Sequence, residues 1–179
     1  SLEVLRNPRG ALTGPSSGRS PREIALGFVR SHAATFGLGP SGATNLEALG
    51  ESTSPATGLS MIRLRQSHRG APVFQGELPA LVDSKGRLVR TVGRLVPGLS
   101  TASAAPARLL EPIPAVRGLL RGAGIEAENA IIETDSIDSG GKSWTAEAGA
   151  VLTRPLRASL VYFPLAPGVV APAWSAVLM

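Results

Sequence analysis

The hydrophobic period of this chain changes from helical to alternating near Gly58, and no other feature restricts its fold as much. Upstream, in SPREIALGFVRSHAATFGLGP, Ile24, Phe28 and His32, with Ala25, Val29 and Phe36, form one apolar stripe at helical spacing. Ser20 is placed to cap the first free amides, Pro21 suits the first helical position, and Glu23 completes a capping box. Gly37 and Gly39 are natural stops. Downstream the period is two. In LSMIRLRQSH, Ile62, Leu64 and Gln66 alternate with Met61, Arg63 and Arg65; in APVFQGELPALVD, Phe74, Leu78, Ala80 and Val82 are assigned to one face. GRLVRTVGRLV follows the short turn Ser84-Lys85-Gly86, and Arg69-Gly70 reads as a hairpin tip with Gly70 at positive φ. A helix followed by a three-stranded antiparallel meander has one apolar face on each partner to bury, so the helix is expected to lie across the sheet. The opposite face of the meander is rich in arginine.

The second half repeats the order of helix, then strands, without sequence repetition. Ile113–Leu120 predicts a short helix, weakened by Pro112 and Pro114. Strands are expected at Ala130–Glu133, Gly149–Thr153, Leu160–Phe163 and Trp174–Leu178, with DSIDSGGKS as a polar loop between the first two. Residues 1–19, with Pro8, Gly10, Gly14, Pro15 and Gly18, read as an N-terminal arm or linker, and 99–107 as a second linker. Residues 39–58 are turn-rich and ambiguous. The expected fold class is α+β, in two small subdomains at 20–98 and 108–179, each a helix packed on an antiparallel sheet.

Residues 158–179 carry no charge and are long enough to span a bilayer. Pro164, Pro167, Gly168 and Pro172 would repeatedly break a helix there, so two buried strands joined by a Pro/Gly turn are expected instead. The absence of a charged-then-apolar leader at Ser1 leads us to expect an export signal removed or not included. The strand-like run reaching Met179 leads us to expect further precursor sequence beyond it.

Composition removes several chemistries. There is no cysteine, hence no disulfide, thiolate nucleophile or cysteine metal site. His32 and His68 are the only histidines and neither lies in an H-E-x-x-H arrangement. His32 falls on the apolar stripe and reads as a packing residue, whereas His68 precedes a turn and is expected to be exposed. No serine sits in a G-x-S-x-G elbow. Asp135 and Asp138 flank a loop without EF-hand spacing, which favours a plain loop over a cation site. Gly70 and Gly76 do not match a phosphate cradle, because no helix opens behind them.

The net charge of +5 is uneven: residues 1–100 hold 12 basic and 6 acidic side chains, and the remainder 6 and 7. Arg63, Arg65, Arg69, Arg87, Arg90 and Arg94 lie on the predicted meander and are the candidates for binding a partner. An arginine-rich nucleic-acid-binding module is one reading of them. Phe74 is the only aromatic there, however, and single-strand readers need a stacking platform.

The stretch IRLRQSHRGAPVFQGELPALVDSKGRLVRTVGRL resembles the propeptide module of fungalysin-type and thermolysin-type zinc metallopeptidases, the FTP module. The residues carrying the likeness are Arg65, Gln66, Gly70, Pro72, Val73, Phe74, Gly76, Glu77, Asp83 and Gly86. PREIALGFVRSHAATFGL is similar to the helix leading into that module, and ASLVYFPL with APAWSAVL to the PepSY-like region that follows it. Pro79 departs from the pattern and suggests an edge strand. The end at Met179, short of the last strand usual in PepSY-like regions, is a second departure.

The resemblance implies cystatin-like subdomains and a pro-region with no catalysis of its own. Such a pro-region assists folding of the cognate metallopeptidase catalytic domain and inhibits it until removal. It also implies a secreted or periplasmic location, no metal or cofactor in this chain, zinc in the partner peptidase, and neither nucleic acid nor a membrane span. A free-standing inhibitor or regulator of a separately encoded peptidase is the alternative.

Overall fold

The computed structural model describes residues 4–39, 42–99, 103–104, 109–127, 129–138, 140–149 and 151–178. Among the described residues the fold is α+β, mostly sheet with two α-helices, and the chain divides into two compact units. The first comprises Ser1–Ser103 with Pro164–Val170, the second Ala104–Phe163 with Ala171–Met179.

In the first unit, helix α1 (Pro21–Ser31) begins as its sequence requires. The Ser20 hydroxyl accepts from Glu23 N–H (3.3 Å) and the Glu23 carboxylate accepts from Ser20 N–H (2.7 Å). Its buried face, Ile24, Ala25, Phe28 and Val29, packs on Ile62, Leu64, Leu78, Ala80, Val82 and Leu88 of the sheet. Among the described residues, antiparallel strands of this unit follow one another in the order β1 (Val4–Arg6), β5 (Leu88–Val92), β4 (Ala71–Val82), β3 (Ser60–His68) and β2 (Leu46–Thr53).

Two strands lie outside the expected meander. Part of the stretch read as an arm is β1, tied onward to the sheet by Leu12 N–H to Leu88 O (2.7 Å) and Leu88 N–H to the Thr13 hydroxyl (2.9 Å). Three residues suffice for pairing here because the partner strand is already in place. The ambiguous stretch contains β2, an edge strand whose exposed residues and bulge between Ala48 and Gly50 erase the two-residue period.

Three expectations about this sheet are corrected. Phe74 is not in phase with Leu78, Ala80 and Val82: Val73 is the buried residue, because a bulge in β4 resets the alternation. Pro79 is not on an edge strand, since β4 pairs with β3 on one side and β5 on the other. The missing donor is tolerated because the β5 ladder begins at Ala80, so Pro79 lies beyond it. His68 is buried rather than exposed, as the next inward residue after Ile62, Leu64 and Gln66.

After the two-residue strand β6 (Ser103–Ala104), the second unit packs helix α2 (Pro112–Gly122) on β7 (Glu133–Ser136), β8 (Ser143–Glu147) and the parts of β9 (Leu156–Ala166) and β10 (Val169–Ala176) that lie outside residues 164–170. Pro112 and Pro114 occupy the first turn of α2, where amide hydrogens have no intrahelical acceptor, and so do not weaken it. Val116 and Leu120 bury against Trp144, Ala146, Leu156 and Ala158. The strand expected at Ala130–Glu133 starts at Glu133. The one expected at Gly149–Thr153 is absent there: Val151 and Leu152 N–H both turn back to Ala148 O, and the strand is SWTAE just upstream.

β9 and β10 replace the bilayer-length uncharged run, and among the described residues no helix is long and apolar enough to cross a membrane. Most of the expected 99–107 linker and the strand end at Met179 fall outside the described residues.

Candidate functional site

The residues that carry the family likeness converge on the β3–β4 hairpin and the turn after it. His68 pairs with Ala71, leaving Arg69 (φ 49) and Gly70 (φ 76) as a two-residue loop, both left-handed as a type I′ turn requires. Arg65 then pairs with Glu77 but Ser67 with Pro72, so Val73, Phe74, Gln75 and Gly76 bulge opposite Gln66 alone. Gln75 takes φ 55 within that bulge.

Gln66 is fully buried, and a buried amide is tolerated only when it is hydrogen-bonded. Both ends of it are used on one residue: Val96 N–H donates to Oε1 (2.6 Å) and Nε2 donates to Val96 O (3.0 Å). The segment after β5 is thereby clamped to the hairpin. Gly76 makes room for this amide, since a Cβ there would stand 3.2 Å from Gln66 Oε1 and 3.1 Å from Val73 Cβ.

Asp83 organises the next turn. Its Oδ1 accepts from Lys85 N–H (3.0 Å) and Arg87 N–H (2.9 Å), and Oδ2 from Arg87 Nε (2.8 Å). Partial burial opposes ionisation of Asp83, but the Arg87 side chain and these amides outweigh it and hold the carboxyl below its ordinary range. Gly86, at φ 68, has its open side against Ser16 O, where a Cβ would overlap. The ten motif residues thus build a hairpin, a bulge and a turn; they assemble no nucleophile–base pair.

The arginine candidates separate. Arg87 is bound to Asp83 (2.7 Å) and Arg65 to Glu47 (2.9 Å). Arg69 is exposed at the hairpin tip; Arg63 and Arg90 are exposed on the sheet face opposite α1. Arg94 is exposed, and its backbone N–H donates to Glu77 O (3.1 Å). Sequence reading missed Arg6, which pairs directly opposite Arg90 on that face. The alternation of Val4, Leu5 and Arg6 was the available signal, masked by the glycines and prolines that follow.

The histidines and the two loop aspartates take structural positions. Burial, and secondarily the Arg69 charge, push the His68 imidazole below its ordinary pKa. His32 is exposed, stacks on Phe28 at 4.2 Å and sets Nδ1 2.9 Å from Phe28 O. Asp138 accepts from the Ser143 hydroxyl, from Lys142 N–H (2.9 Å) and from Gly140 N–H (3.0 Å), and these bonds, that of Ser143 foremost, lower its pKa. Asp135 pairs with Thr145 in the β7–β8 ladder.

Among the described residues no group of three or more His, Cys, Asp or Glu is placed to hold a metal. An open cavity of about 760 Å³ in the second unit is lined by Arg117, Arg121, Ile125, Glu126, Asn129 and Val151 among others. Arg117 is engaged there with Ala127 O (2.7 Å) and Ala130 O (3.2 Å). No protein-family model matches the chain, and no curated protein matches it.

Proposed function

We propose that this chain is the non-catalytic pro-region of a secreted zinc metallopeptidase, with two cystatin-like units, acting as intramolecular chaperone and inhibitor of the peptidase domain. The observation that supports the reading is the interlock of Gln66, Gly76 and Val96. Residues singled out by family likeness depend on one another sterically and by hydrogen bonding, as a module's defining residues should. A folded module of this kind, bound to the native peptidase and not to its unfolded chain, stabilises that state by mass action while covering its cleft. Zinc belongs to the peptidase in this account, and the location is outside the cytoplasm.

The test is refolding of the cognate peptidase domain with and without the chain, followed by titration of the mature enzyme. The expected outcome is more recovered activity in the first experiment and dose-dependent inhibition in the second. If the chain alters neither, the proposal fails.

A further inference from the structure

The sheet face that α1 does not cover carries a row of neighbours across four strands: Arg6 opposite Arg90, Arg90 opposite Leu81, and Leu81 opposite Met61. Arg63 stands two residues from Met61 on the same face. At sheet spacing the patch measures roughly 14 Å by 7 Å. Arg6, Arg63 and Arg90 are exposed, and among the described residues none forms an ion pair. Arg6 facing Arg90 is a like-charge pair directly across two strands, an arrangement that destabilises a sheet on its own account. Met61, 40% exposed beside them, gives the patch an apolar centre.

Resting on the pro-region reading, we infer that this face docks a carboxylate-bearing surface of the peptidase domain, with Arg6, Arg63 and Arg90 meeting its acidic groups around Met61 and Leu81. A carboxylate between Arg6 and Arg90 turns their repulsion into two attractions, and guanidinium forks suit carboxylates geometrically. A nucleic-acid strand fits less well. Glu77 is exposed on the same face opposite Arg65 and would repel a phosphate track, and Phe74, at the bulge of β4, is the single aromatic among the described residues of β1–β5, too few for a stacking platform. Arg65 and Arg87 drop out of the candidate set because Glu47 and Asp83 already hold them.

The experiment compares three forms of the chain for binding to the peptidase domain at low and high ionic strength. They are the wild type, the triple variant Arg6→Gln/Arg63→Gln/Arg90→Gln, and the charge-matched variant Arg19→Gln/Arg22→Gln/Arg30→Gln. We expect the first triple variant to bind at least about tenfold more weakly, chiefly through a slower association that has lost its salt dependence. The second should stay within about twofold of wild type, because its charges lie off the docking face. Thermal unfolding of the first triple variant is expected at or above the wild-type midpoint, which separates lost binding from lost fold.

If the wild type inhibits but the first triple variant binds equally well, the docking face is wrong and the pro-region reading stands. If the wild type does not bind the peptidase domain, both fail. If the wild type binds an oligo(dT) strand more tightly than the peptidase domain, and the first triple variant loses that binding, the face serves phosphates and the inference is overturned.

Discussion

A fully buried glutamine stabilises a fold only if its desolvation is repaid at both ends, and Val96 does that for Gln66. Gln66→Leu leaves the Val96 N–H and C=O without partners, so we expect a loss of about 2–4 kcal/mol by urea unfolding. Gly76→Ala crowds the same amide and is expected to lose about 1–3 kcal/mol. The double variant Gln66→Ala/Gly76→Ala should lose less than the single variants Gln66→Ala and Gly76→Ala together, because removing the amide opens space for the new methyl. Strict additivity in that cycle would mean the two residues are not interlocked.

His68 supports a pH prediction at the same scale. Its folded pKa is lowered by burial, so the unfolded chain binds the proton more readily. Stability therefore falls as pH drops below the ordinary imidazole value of about 6.5 and stops falling, on this account, below the folded pKa. Between about pH 7 and pH 5 the wild type should lose more stability than His68→Gln, with His32 common to both. Parallel curves would sink the argument.

At the scale of elements, the capped helix and the turn were legible because their chemistry is local. Ser20 and Glu23 serve each other within one turn, and Asp83 serves amides two and four residues ahead. Ser20→Ala removes the cap of α1, with an expected loss of about 0.5–2 kcal/mol by thermal or urea unfolding. The amide and hydroxyl of Ser20 hold the Glu23 carboxyl below its ordinary value. The cap therefore contributes fully above the ordinary carboxylate range and is lost as pH falls below it. In acid the Ser20→Ala difference should narrow, and one constant down to the acid transition would contradict this mechanism.

Strands β1, β2 and β8 escaped the sequence for different reasons. β1 is three residues long, β2 keeps most of its side chains in water, and β8 follows a Gly/Ser loop without a long alternation. The alternation in β1 spans only three residues and the other two show no sustained one; each is a strand because a neighbour offers unpaired backbone.

For the whole molecule, the division into units is not a division of the sequence. Residues 164–170 belong to the first unit, where Gly168 N–H donates to Pro97 O at 3.2 Å. A fragment ending at residue 103 lacks that segment, so the amides of its sheet should exchange hydrogen faster than in the full chain. Equal protection in both would show that 164–170 contributes nothing to the first unit.

Taken alone, the sequence determined the α+β class, the position and cap of α1, the inward set Ile62, Leu64 and Gln66, and the tip at Arg69-Gly70. Each depends on residues within a few positions of one another, or on a period of two or 3.6, and both are written directly in residue order. Tertiary structure alone decided that Val73 rather than Phe74 turns inward, that His68 is buried, that Pro79 sits inside the sheet, and that Arg6 faces Arg90. Those outcomes depend on register, and register is set by bulges and by partner strands distant in sequence.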